Sequence, residues 1–203
     1  MLNLPKECRV DRFLPKKTFY EHVGITSTTK KEFVDDVDKM TWLYKLSEDN
    51  IHVSKTKQVE EIEIFQIEMK NKIIPNNVIK AIVKGIPYKI LFKVVYKEDY
   101  CYAIKPNENI YYTEWNENIN IDFEGLNLES IYDRIIKQII KEETNQKSIE
   151  DILIDKDKID DLNKKINQLT QKVKSENQFD RKVALNCELN RLKREMEEEL
   201  NNG

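Results

Sequence analysis

Apolar and polar positions alternate with different periods along the chain, and the changes of period divide it into three regions. In the first, Pro15 opens KKTFYEHV and Gly24 follows it, which predicts a short helix with a glycine just past its end. Ser27 then stands as an N-cap. Phe33, Val34, Val37, Met40, Thr41, Leu43 and Tyr44 recur at three- and four-residue intervals, predicting an amphipathic helix from Ser27 to about Leu46. Asp35, Asp36 and Asp38 fall on its opposite side and read as a solvated face, not a metal cluster.

The second region carries short apolar runs. Val59 to Lys70 predicts a strand, Asn76 to Lys84 a helix, and Tyr88 to Tyr96 a nearly unbroken buried strand. A strand, a helix of that length and a second strand imply a crossover with parallel pairing. Lys97-Glu98-Asp99 reads as a hairpin turn into Tyr100 to Ile104, and Ile110 to Trp115 as a further strand. Three or four strands are expected in all. Within EIEIFQIEMK the apolar set changes parity, from Ile62 and Ile64 to Phe65, Ile67 and Met69, which requires a bulge or a strand buried on both faces.

The third region has no Gly or Pro between Gly125 and Gly203 and reads as helix. Leu128, Ile131, Ile135 and Ile139 line one helix, the polar EETNQK interrupts it, and Ser148 with Asp151 resembles a capping box. Ile152, Ile159, Leu162, Ile166, Leu169 and Val173 then hold a heptad-like seam broken by Asp155. Leu185, Leu189, Leu192 and Met196 form a second seam out of register with the first. The shift falls at SENQFD, where Asn177 can take a left-handed C-cap and Asp180 can N-cap a new helix. An antiparallel hairpin follows; one helix with a stutter is the rival. The expected fold is α+β, a small mixed sheet with flanking helices over residues 1–146 and a coiled-coil-like helical hairpin over 147–203.

Composition narrows the function classes. Of 203 residues 35% are charged, above the average of about a quarter, yet the formal net charge is only −3. No global field therefore draws the chain to nucleic acid or an anionic membrane, and any such binding is local. Cys8, Cys101 and Cys187 are isolated, which implies neither a zinc site nor a disulfide framework. No apolar run reaches the ~18 residues of a membrane span, and the opening residues lack a signal-peptide core; the expectation is a cytoplasmic protein.

The four glycines stand too far apart to form a phosphate-cradling loop, and His22 and His52 have no metal-ligand spacing. Three sets of residues remain. In a strand, Glu68 and Lys70 share a face, as a metal-dependent nuclease of the restriction-endonuclease-like class requires. The carboxylate would hold Mg2+ and the lysine position the attacking water, with Asp49 the nearest second carboxylate. The simpler reading makes them solvated residues at a strand end. Lys89, Lys93 and Lys97, close to Tyr100 and Tyr102, offer basic and aromatic groups for a nucleic-acid strand. The alternative is a set of lysines guarding a sheet edge. At the hairpin turn, Phe179 either staples the tip or, with Arg181, serves as an exposed anchor for a partner protein.

LPKECRVDRFLPKKTFYEH, KKEFVDDVDKMTWLYKL, VEEIEIFQIEMK, IPYKILFKV, YYTEW and above all QFDRKVALNCELNRLK resemble, in order and over nearly the whole chain, a bacterial family catalogued as domain of unknown function 4391. Its members lie near restriction-modification or phage-defence genes, commonly with a helicase and an adenine methyltransferase. The family carries no agreed catalytic residues. The resemblance implies a non-catalytic accessory or assembly subunit of a nucleic-acid-directed defence complex, with those proteins as partners and no cofactor. The rivals are the nuclease, with Mg2+, and a stand-alone nucleic-acid-binding module.

Overall fold

The computed structural model describes residues 4–117, 123–143 and 147–202, apart from the His22 side chain and the last two side chains. It divides into two compact units, Met1–Glu143 and Thr144–Gly203. Part of the predicted EETNQK break, residues 144–146, lies outside the described residues.

The first unit is built on a six-stranded mixed sheet: β1 (Arg9–Phe13), β2 (Val37–Ser47), β3 (Glu61–Met69), β4 (Lys89–Tyr96), β5 (Asp99–Ile104) and β6 (Tyr111–Tyr112), neighbours in that order. All pairs are antiparallel except β3 and β4, which run parallel across the crossover through helix α4 (Asn76–Gly85). The crossover and the β4–β5 hairpin agree with the sequence reading.

The predicted long helix does not. Helix α1 (Lys16–His22) forms as expected, but α2 (Ser27–Asp35) stops at nine residues and the chain passes through Asp36 directly into β2. Thr26, not Ser27, is the N-cap, its hydroxyl accepting the Thr29 N–H at 3.2 Å. The reason for the misreading lies in β2 itself. Its pairing with β3 skips Asp38 and Leu43, so two bulges break the two-residue alternation and leave apolar residues at helix-like intervals. The edge strand β1 is nearly all exposed and offers no apolar period, and the strand expected over Ile110 to Trp115 shrinks to two residues.

One face of the sheet packs against α1, α2 and α4. Met40, Phe65, Ile67, Phe92, Val94, Cys101 and Ala103 meet Phe19, Phe33, Val78, Ile79 and Ile82 there. Phe92 is fully buried and set edge-on to Phe65, whose ring is edge-on to Trp42, each pair 6.3 Å apart. On the opposite face Ile62, Ile64, Leu91 and Ile104 are also fully buried, and helix α5 (Leu128–Ile140) contacts β3, β5 and β6. Strand β3 is thus covered on both sides, which answers the parity change in EIEIFQIEMK.

The second unit is a pair of helices, α6 (Ile149–Ser175) and α7 (Phe179–Asn202), packed together through Leu162, Ile166, Leu169, Leu189 and Leu192. Val173, Leu185 and Met196 extend the contact. Ser148 caps α6 by accepting the Asp151 N–H, as its sequence context suggests. The three-residue connection differs in detail. Asn177 is not left-handed, and Asp180 lies inside the first turn of α7, while the Gln178 carbonyl accepts the Lys182 N–H at 2.9 Å.

Candidate functional site

The residues raised by the Glu-x-Lys pattern are not brought together. Asp49 sits exposed in helix α3 (Glu48–Ile51), beyond the end of β2 where Ser47 pairs with Glu61. Glu68 lies at the other end of β3, opposite Lys39. Seven residues of extended chain, roughly 23 Å at 3.3 Å per residue, separate those ends. Glu68 Oε1 accepts from Gln66 Nε2 at 3.0 Å and lies 3.9 Å from Lys39 Nζ. Lys70, just past the strand, turns toward α2: its ammonium donates to the Val34 carbonyl at 2.8 Å and its N–H to the Asp36 carbonyl at 2.8 Å. It satisfies carbonyls at that helix end, where a cation also meets the negative end of the dipole. Among the described residues no three His, Cys, Asp or Glu side chains are grouped to hold a metal ion.

The three lysines also separate. Lys89 and Lys93 lie on the sheet face shared by Ile62 and Gln66. Lys97 sits in the turn at φ 56°, its ammonium 5.1 Å from the Tyr96 ring centre. Strand β4 is interior to the sheet, between β3 and β5, so edge protection does not account for them.

What the structure does assemble is a polar half-face. Thr41, Gln66, Lys93 and Tyr102 are cross-strand neighbours on β2, β3, β4 and β5. The adjacent row is Lys39, Glu68, Val95 and Tyr100. Lys93 Nζ stands 5.4 Å from the Tyr100 ring centre, and the Tyr100 and Tyr102 rings meet edge-on at 5.8 Å. Burial pushes the Tyr102 hydroxyl up to about 12, with Tyr100 and Tyr44 adding to it, so it stays a neutral hydrogen-bonding group. The Thr41 hydroxyl is buried without a hydrogen-bond partner. Such a surface can hold a polar chain by hydrogen bonds and cation–π contact.

A second polar group escaped the sequence reading. Glu63 is 3% exposed, beside Glu61 and across β2 from Lys45, and its Oε2 has no hydrogen-bond partner. Burial, then the charge of Glu61, pushes its carboxyl up to about 7, against the opposing pull of Lys45. Lys45 itself is committed to Glu61 at 2.6 Å. The signal was the glutamate placed between Ile62 and Ile64, in a strand covered on both faces. Cys8 and Cys101 are buried thiols, and burial lifts Cys101 to about 12; Cys187 is exposed.

At the hairpin turn Phe179 is 78% exposed, so the predicted staple is not formed. Arg181 lines a shallow concavity of about 430 Å3 with Lys172, Ser175, Glu176, Ala184 and Leu185.

A mixed sheet with α1, α2 and α4 on one face, α5 and a polar half-face on the other, and a two-helix unit defines an α+β protein. Over residues 2–196 the chain matches the family described as Domain of unknown function (DUF4391), and it belongs to that family. No curated protein and no solved structure matches it. No helix among the described residues is long and apolar enough to cross a membrane.

Proposed function

We propose that this protein is a non-catalytic accessory or assembly subunit of a bacterial, cytoplasmic, nucleic-acid-directed defence complex, and that the tip of its helical hairpin engages a protein partner. The observation carrying this reading is the exposed Phe179 at the turn, two residues before Arg181. An aromatic ring held in water costs solvation and contributes nothing to the core of the pair, whereas aromatic and Arg side chains dominate binding hot spots. The partners expected from the family resemblance are a helicase and a DNA methyltransferase. The test is co-purification with the proteins encoded beside its gene. Phe179→Ala and Arg181→Ala should each weaken it while the melting temperature holds. Full co-purification by both variants refutes the tip as the contact.

The polar half-face favours a second reading, a nucleic-acid-binding module, because Lys39, Lys93 and Tyr100 there combine cations with a stackable ring. Salt-sensitive binding of the isolated protein to single-stranded DNA or RNA, lost in Lys93→Ala, would favour it. A metal-dependent nuclease requires carboxylates other than Asp49 beside Glu68.

A further inference from the structure

A cavity of about 570 Å3 opens where the α4–β4 connection, the start of β4, the segment after β5 and helix α5 meet, all within the first unit. Its volume falls inside the roughly 300–1,000 Å3 range of small-molecule sites. Three lysines line it, Lys84, Lys89 and Lys105, against one carboxylate, Glu108.

The lysines differ in how they are held. The Lys105 side chain is only 13% exposed and its ammonium donates to the Asn107 carbonyl at 2.5 Å. Its ion pair with Glu108 is long, 3.8 Å, and that carboxylate is fully exposed, so an incoming anion displaces it at little cost. Lys89 stands 5.4 Å from the centre of the Tyr132 ring, and no salt bridge to Lys84 or Lys89 occurs among the described residues.

The walls are fixed. A Cβ on Gly85 would come within 2.6 Å of Val23 Cγ2, so the end of α4 is pressed onto α1's flank, and Pro87 stiffens the next turn. The C-terminal carbonyls of α4 bring partial negative charge to that rim, offset by Lys84 in the last turn. The favourable place for an anion is therefore between Lys89 and Lys105. Tyr88, 36% exposed, also lines the cavity and offers an aromatic ring for stacking.

We propose that this cavity binds a nucleoside phosphate, free or as one unit of a single strand, with the phosphate between Lys89 and Lys105 and the base against Tyr88. This site is separate from the hairpin tip and does not depend on the assembly role proposed above.

The test is calorimetric titration of the full chain with AMP, with inorganic phosphate and with a short single-stranded oligothymidylate. Saturable binding is expected for AMP or for the oligonucleotide. Lys89→Gln should weaken it about ten-fold or more, the loss of one charge-assisted contact, without moving the melting temperature. Tyr88→Ala should weaken nucleotide binding and leave phosphate binding unchanged. AMP binding without oligonucleotide binding identifies a free nucleotide; oligonucleotide binding, whether or not AMP competes, identifies a strand. The proposal is overturned if neither AMP nor the oligonucleotide binds. It is equally overturned if Lys89→Gln and Tyr88→Ala bind like wild type, or if inorganic phosphate binds as tightly as AMP.

Discussion

Glu63 and Glu68 stand five residues apart on one strand and differ in almost everything that governs a carboxylate. Glu68, at the sheet's polar end, is a third exposed, accepts from Gln66 and faces Lys39. Glu68→Ala is expected to change stability by no more than about 0.5 kcal/mol and to leave the activity of the proposed complex intact. Lost activity in a well-folded variant would restore it as a functional carboxylate. Glu63 is buried, and its carboxyl titrates near 7 in the folded chain against 4.5 in the open chain. Between those values the native state retains a proton that the unfolded state has released. Stability therefore falls as pH rises from about 4.5 and levels off above 7, by at most roughly 3 kcal/mol. Glu63→Gln keeps the shape and removes the ionisation. Its melting temperature should match wild type near pH 4.5 and exceed it at pH 8, and an unchanged gap across that range would show that Glu63 does not titrate there.

At the scale of elements, legibility in the sequence followed regularity of pairing. Strand β4 and the parallel crossover could be read because Lys89 to Tyr96 is an apolar run broken internally only by Lys93, with a helix-length segment between it and β3. Strand β2 could not, since bulges at Asp38 and Leu43 gave a strand the spacing of a helix, and no Gly or Pro marks the passage from α2 through Asp36. The candidate site suffered from the same cause. Alternation puts Glu68 and Lys70 on one face, but Lys70 lies past the last paired residue and is turned aside by the end of α2. The polar half-face was hidden too, because Thr41 and Lys39 belong to the misread segment. The structural role of Lys70 is open to measurement. Lys70→Met keeps the aliphatic stem and deletes the bond to the Val34 carbonyl, so it should cost about 1 kcal/mol, read from denaturant midpoints at constant slope. No loss would mean that water replaces the ammonium without penalty.

On the scale of the whole molecule, each unit holds its own apolar cluster, and the hairpin's cluster is the smaller: five leucine and isoleucine side chains with three partly buried neighbours. Its outer surfaces are charged, and the ion pairs Lys164–Asp161 and Arg191–Glu195 are surface contacts of little individual worth. The pair is therefore held by its seam. Leu189 lies within that seam, one of two buried residues contributed by α7. Leu189→Ala removes three carbons from a seam that can partly collapse, which places the cost near the low end of the usual range, about 2–3 kcal/mol. If the tip serves as an anchor, it acts only when the two helices hold Phe179 and Arg181 in place. Leu189→Ala should then reduce both the helical melting transition and co-purification with neighbouring gene products, whereas Phe179→Ala should reduce co-purification alone. Two outcomes run the other way: normal assembly by Leu189→Ala despite a melted hairpin would remove the hairpin from the interface, and a lowered melting temperature in Phe179→Ala would show that the exposed ring contributes to the fold after all.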